Sequence, residues 1–170
     1  AVILTDGGSF ARWVHRYYRF TRPHTQAGPI SGAMGYGVPG GIGARLARPD
    51  EPAIVFVGDG GFMMTGQELV TAVEQGIAVK VIVCDNNAHG SILMGQSQRF
   101  GEEAVYGTRL TSPDFAAVAR AYGLAAWRVE ETEAFRPAFA EALAHEGPAL
   151  IHLLTDERDI VPFGAGREAV

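Results

Sequence analysis

Three mostly apolar runs constrain this chain most: Ala53–Val57, which is rich in β-branched residues, Val79–Cys84 and Ala149–Leu154. Each is nearly continuous rather than alternating, so each reads as a strand buried on both faces. Helical patterns separate them. Strands of this kind, divided by helices, imply a parallel sheet with helices packed on both sides. The expected fold class is α/β: a three-layer α/β/α sandwich around a mostly parallel sheet.

The remaining segments fit that frame. Val2–Thr5 is a further short apolar run, and Ala126–Val129 reads as another strand. Ser9–Tyr18 reads as a helix, and Gly32–Ala47 is glycine-rich but ends like one. Thr65-Gly-Gln-Glu68 has the form of a capping box, with Gly76 placed as the terminating glycine. Ser112-Pro113-Asp114 predicts a helix with Ser112 as N-cap, ending at Gly123. Thr132 predicts a cap for a helix running to about His145. Gly95–Thr111 is weakly patterned and reads as a long loop at the ligand end of the sheet. No repeat or internal boundary interrupts the chain, so residues 1–170 read as one domain.

Composition excludes several classes. A net charge of −5 argues against a nucleic-acid partner. No apolar stretch is long enough to span a membrane. Cys84 is the only cysteine, which rules out an internal disulfide and a Cys/His zinc cluster and makes a reducing cytoplasm the default location. Gly35-Tyr-Gly37-Val-Pro-Gly40 satisfies a dinucleotide fingerprint, but it follows a loop rather than a strand. These glycines read instead as close packing of a helix. His15 and His145 read as surface residues and His152 as a satisfied core residue.

Chemistry is expected at the carboxyl ends of the strands. Two ends are polar in a specific way: Gly58-Asp59-Gly60-Gly61 and Asp85-Asn86-Asn87-Ala88-His89-Gly90. A carboxylate, an amide oxygen and a backbone carbonyl are hard ligands that suit Mg²⁺ shared with a phosphate. Glycines beside Asp59 let backbone N–H groups approach that phosphate. Either half alone also reads as a plain turn.

Gly58-Asp59-Gly60, followed after 25 residues by Asn86-Asn87, resembles the thiamine-diphosphate (ThDP) binding motif. Ser31-Gly-Ala-Met-Gly-Tyr-Gly37, Gln67-Glu-Leu69 and Thr111-Ser-Pro-Asp-Phe-Ala116 also resemble that family. The likeness covers nearly the whole chain and is to the C-terminal, pyrophosphate-binding (PP) domain of acetolactate-synthase-like enzymes. It implies that Asp59 and Asn87 ligate Mg²⁺ through side chains and His89 through its backbone carbonyl. It implies diphosphate contacts at Ser9, Gly60, Gly61, Gly90, Ser91 and Ile92. It further implies that Met34 props the cofactor into a bent shape, with Gly32, Ala33 and Met34 along the aminopyrimidine edge.

The implied function is decarboxylation of a 2-oxo acid with carboligation, as a lyase or transferase. The activating glutamate of such enzymes lies in a pyrimidine-binding domain of a partner subunit. That domain and the central domain are absent from these residues, so the chain is expected to be a fragment or the small subunit of a split enzyme. It is expected to be inactive alone and part of a homo-oligomer. An apolar, association-prone face is expected near Gly32–Gly37 and Phe62–Met64, so that the isolated chain either self-associates or shows disorder around Gly90–Thr111. Gln96 stands where biosynthetic acetolactate synthases carry a tryptophan, which points to a different acceptor pocket. The competing reading is a non-catalytic α/β binding module.

Overall fold

A computed structural model describes residues 1–162; the expected domain end at 170 lies outside the described residues. The strands are β1 (Val2–Thr5), β2 (Gln26–Ala27), β3 (Ala53–Gly58), β4 (Val79–Asp85), β5 (Ala125–Val129) and β6 (Ala149–Leu154). The helices are α1 (Ala11–Tyr17), α2 (Gly37–Ala47), α3 (Asp59–Thr65), α4 (Leu69–Glu74), α5 (Gly90–Phe100), α6 (Phe115–Ala121) and α7 (Thr132–Ala144). The strands form one sheet in the order β2-β1-β3-β4-β6-β5, and every pairing is parallel.

Period-two alternation sends neighbouring residues of each strand into different cores. Leu4, Val55, Val57, Val81, Val83 and Leu150 face one, which Val38, Leu69 and Phe115 of α2, α4 and α6 cover. Ile3, Ile54, Ile82 and Ile151 face the other, covered by Val14 of α1 and Ala138 and Ala142 of α7. The three-layer α/β sandwich is thus as expected. Gly37 and Gly41 let α2 lie close on the sheet: a Cβ at Gly41 would come within 2.2 Å of Val55 Cγ2. That packing, not a dinucleotide, explains this part of the glycine-rich run.

Several local expectations are corrected. Thr65 caps nothing; it is the last residue of α3, and its hydroxyl donates to the Gly35 carbonyl at 2.9 Å. The N-cap of α6 is Asp114, whose carboxylate accepts the Ala117 N–H, because Ser112 is drawn to other partners. The weakly patterned stretch expected as a loop from Gly95 is helical as far as Phe100, as part of α5. Phe62 is buried against Phe115, leaving Met63 and Met64 as the exposed residues of its segment. The stub β2 lies in what reads as loop. Gly76 and Gly123 do take the left-handed backbone expected after a helix end, with φ of +63° and +94°.

Candidate functional site

The carboxyl ends of β1, β3 and β4 converge, because these strands are neighbours in the sheet. β3 and β4 run in parallel register with Gly58 opposite Cys84, so Asp59 and the Asn86–Gly90 loop leave the sheet side by side. Asp59 opens α3 directly and is buried. Its Oδ1 accepts from the Gly60 N–H at 2.8 Å, and its Oδ2 from the Ala88 N–H at 3.1 Å. This second bond ties the two motif halves together.

Burial pushes Asp59 up to about 6, and nearby Asp85 adds to the rise. Burial also works to raise Asp85, but hydrogen bonds from His152, the Asn87 N–H and Ser112 outweigh it and hold Asp85 below the usual carboxylate range. Among the described residues no arginine or lysine forms an ion pair with Asp59. A buried carboxylate that takes backbone N–H bonds but has no cationic partner among the described residues suits a bound cation. Cys84, at the end of β4, is only half-buried as a residue, yet burial of its thiol, with Asp59 adding, pushes it up to about 12. A thiol held that high is a poor nucleophile at neutral pH.

Asn87 is exposed and takes a left-handed backbone with φ +54°. Its Oδ1 accepts the Ser112 N–H at 3.1 Å. The His89 carbonyl accepts the N–H groups of Ile92 and Leu93, which starts α5. Above Gly60 two expected residues meet: a Cβ there would lie 2.7 Å from the His89 ring and 3.1 Å from Met34 Cε. A Cβ at Gly90 would lie 3.2 Å from Ser9 Oγ, which places Ser9 beside the start of α5. Gly61 faces Asp6, with its notional Cβ 2.3 Å from Oδ2. Gly32 has φ +71°, and its carbonyl lies against Gly7. Ala33 is exposed in the same loop, and Ser91 and Ile92 form the first turn of α5.

The donor set therefore fits a Mg²⁺-diphosphate group: one anionic oxygen at Asp59, a neutral amide at Asn87, and a glycine-lined cradle at Gly60 that any Cβ would fill. Two residues were not anticipated. Asp6 is buried and accepts N–H bonds from Gly35 and Tyr36, anchoring the Met34 loop to the end of β1. Asp85 is buried at the base of the second motif. For Asp6, the polar Asp-Gly-Gly directly after an apolar run was the available signal.

Residues 6–153 match the family model described as thiamine pyrophosphate enzyme, C-terminal TPP binding domain. The chain belongs to this family. It is 34% identical over 163 residues to the acetolactate synthase large subunit of Lactococcus lactis, covering 95% of this chain and 28% of that protein. It is 33% identical over 171 residues to the acetolactate synthase isozyme 2 large subunit of Escherichia coli, covering 96% of this chain and 31% of that protein. Among solved structures it resembles the thiamine diphosphate-dependent 4-hydroxybenzoylformate decarboxylase of Rhodococcus jostii RHA1, with a TM-score of 0.85 and 29% identity. That match covers 92% of this chain and 29% of the decarboxylase. The chain thus spans between a quarter and a third of the length of these relatives. No helix among the described residues is long and apolar enough to cross a membrane.

Proposed function

We propose that this chain is the PP domain of a 2-oxo acid decarboxylase or carboligase and binds ThDP through Mg²⁺. The observation that carries the reading is the juxtaposition of buried Asp59 with the Asn87–His89 loop, joined by the Ala88 N–H to Asp59 bond of 3.1 Å. Asp59 and Asn87 hold the metal. The His89 carbonyl joins them by giving up part of its bonding to α5. Ser9, Gly60, Gly61 and the Gly90–Ile92 turn surround the diphosphate. Met34, above Gly60, supports the bent cofactor, with Gly32 and Ala33 beside its pyrimidine edge. When bound, ThDP supplies an acidic thiazolium carbon that accepts the 2-oxo acid. The chain's own groups bind and orient it.

The activating glutamate comes from a pyrimidine-binding domain outside these residues, in a partner subunit of a homo-oligomer. Gln96 sits in α5, and its amide both donates to the Tyr106 carbonyl and accepts the Tyr106 N–H. This position is spent on holding Tyr106. It favours an acceptor unlike that of the branched-chain biosynthetic enzymes. The lone cysteine fits a reducing compartment, and we assign the cytoplasm on that ground.

Decarboxylation of pyruvate and phenylpyruvate tests the reading. The chain alone, with ThDP and Mg²⁺ at saturation, is expected to leave both untouched. Joined to its pyrimidine-binding domain, it is expected to release CO₂ from a 2-oxo acid. Turnover by the chain alone would overturn the assignment of the missing glutamate. A non-catalytic module would bind neither cofactor nor metal.

A further inference from the structure

We propose that the imidazole of His89 is itself part of the cofactor site, as a hydrogen-bond donor to a diphosphate oxygen. The inference rests on the ThDP reading above, which uses only the backbone carbonyl of this residue. The ring lies over Gly60, the neighbour of buried Asp59 at the start of α3. A Cβ added at Gly60 would stand 2.7 Å from His89 Cε1 and 2.9 Å from its Nδ1, with Met34 Cε 3.1 Å away. Imidazole and thioether thus share the space above the glycine expected to meet the diphosphate. Met34 is apolar there, so of the two only His89 can donate a hydrogen bond.

The backbone fixes where this ring stands. The His89 N–H donates to the Thr108 carbonyl at 2.8 Å, and the His89 carbonyl accepts the N–H groups of Ile92 and Leu93, each at 2.9 Å. The residue is half-buried at the start of α5 and pinned on both sides. Its ring is not tied in the same way. Among the described residues His15 pairs with Gln26 and His152 with Asp85, whereas neither ring nitrogen of His89 has a hydrogen-bond partner. The other side chains at the opening of α3 are poorly suited to an anion. Phe10 stands over Gly58, whose notional Cβ is 3.1 Å from Phe10 Cε1, and it has no donor. Asp6 stands over Gly61 and already accepts the N–H groups of Gly35 and Tyr36. Phosphate oxygens taken out of water cost free energy unless donors replace the water. His89 brings such a donor over Gly60, and a neutral ring suffices, because it carries one N–H.

The test measures ThDP affinity of the full-length enzyme by calorimetry at saturating Mg²⁺, in two pairs of variants matched in shape. One pair is His89→Asn against His89→Leu, the other His89→Gln against His89→Met. Within a pair the volumes are close and only the amide can donate. The backbone carbonyl is kept in every variant, so its contact with the metal does not enter the comparison. A hydrogen bond to a charged group is worth about tenfold or more in affinity. Both apolar variants are therefore expected to bind ThDP more weakly than wild type by about threefold or more. In at least one pair the amide variant is expected to bind more tightly than its apolar mate by the same margin. A difference below about threefold within both pairs would mean that the ring only fills space, and overturns the inference alone. An apolar variant within about threefold of wild type overturns it as well. If one pair does not fold, the other decides. A wild-type enzyme that does not bind ThDP with Mg²⁺ overturns the ThDP reading and this one with it.

Discussion

The Asp6 carboxylate holds the backbone of Tyr36 from 30 residues away: the Tyr36 N–H donates to Oδ1 at 3.0 Å. The adjacent Gly35 N–H donates to Oδ2 at 2.9 Å. These bonds fix the loop carrying Met34 against the end of β1, and Gly61 approaches the same carboxylate so closely that no side chain fits there.

Asp6→Ala would leave these N–H groups without their acceptor in a site that is 2% exposed at Asp6. A loss of about 2–4 kcal/mol in unfolding free energy is expected, summed over the orphaned donors. Urea denaturation of the variant measures it. A change below about 0.5 kcal/mol, the usual range for a plain surface substitution, would mean that the loop is held by other contacts.

Gly41→Ala tests the close seating of α2 on the sheet. Its Cβ would stand 2.2 Å from Val55 Cγ2 and 3.0 Å from Val79 Cγ2. Overpacking of this kind costs about 1–3 kcal/mol. Adding Val55→Ala relieves the nearer clash, so the double variant is expected to be more stable than the sum of the single losses. Additive losses in thermal unfolding would contradict the packing explanation.

The pH profile of stability isolates Lys80, the only lysine. Its Nζ donates to the carbonyls of His145 at 2.5 Å and Gly147 at 2.7 Å, tying β4 to the turn before β6. Burial, with Arg45 adding, lowers its pKa from 10.5 to about 8. Between those values the unfolded chain binds more protons than the folded one at this residue, so stability rises with pH. Below about 8 the penalty for the buried charge is fully present. Relative to Lys80→Met, wild type is therefore expected to gain stability from pH 8 to 10.5. Parallel profiles in denaturant titrations would contradict the shift.

The legible part of this molecule was local. Apolar runs marked five of the strands, and the spacing of Asp59 and Asn87 marked two neighbouring strand ends. What the sequence hid depends on long-range contacts. Asp6 reaches Tyr36, and Asp85 reaches His152, across gaps that no local pattern encodes. The helix α5 was obscured because Gly90-Ser-Ile-Leu-Met-Gly-Gln-Ser has weak apolar periodicity and is started by the His89 carbonyl rather than a side-chain cap. Asp59-Gly-Gly suggests a turn, yet it opens α3, which turned the Thr65 signal from a cap into a helix end. His152 read as a core residue in its own right. It is buried as expected, and its Nε2 finds a partner in Asp85 Oδ2 at 2.8 Å.

The central claim is that Asp59 carries a metal-dependent cofactor. Calorimetric titration of ThDP into the full-length enzyme, at several Mg²⁺ concentrations, tests it most directly. In wild type ThDP is expected to bind weakly without Mg²⁺ and tightly with it. Asp59→Ala removes the one anionic ligand and is expected to abolish the Mg²⁺ dependence and most of the affinity. Asn87→Ala, losing a neutral amide, is expected to weaken both less. ThDP binding by Asp59→Ala with the wild-type Mg²⁺ dependence would contradict the account and leave Gly58-Asp59-Gly60 as no more than a helix start.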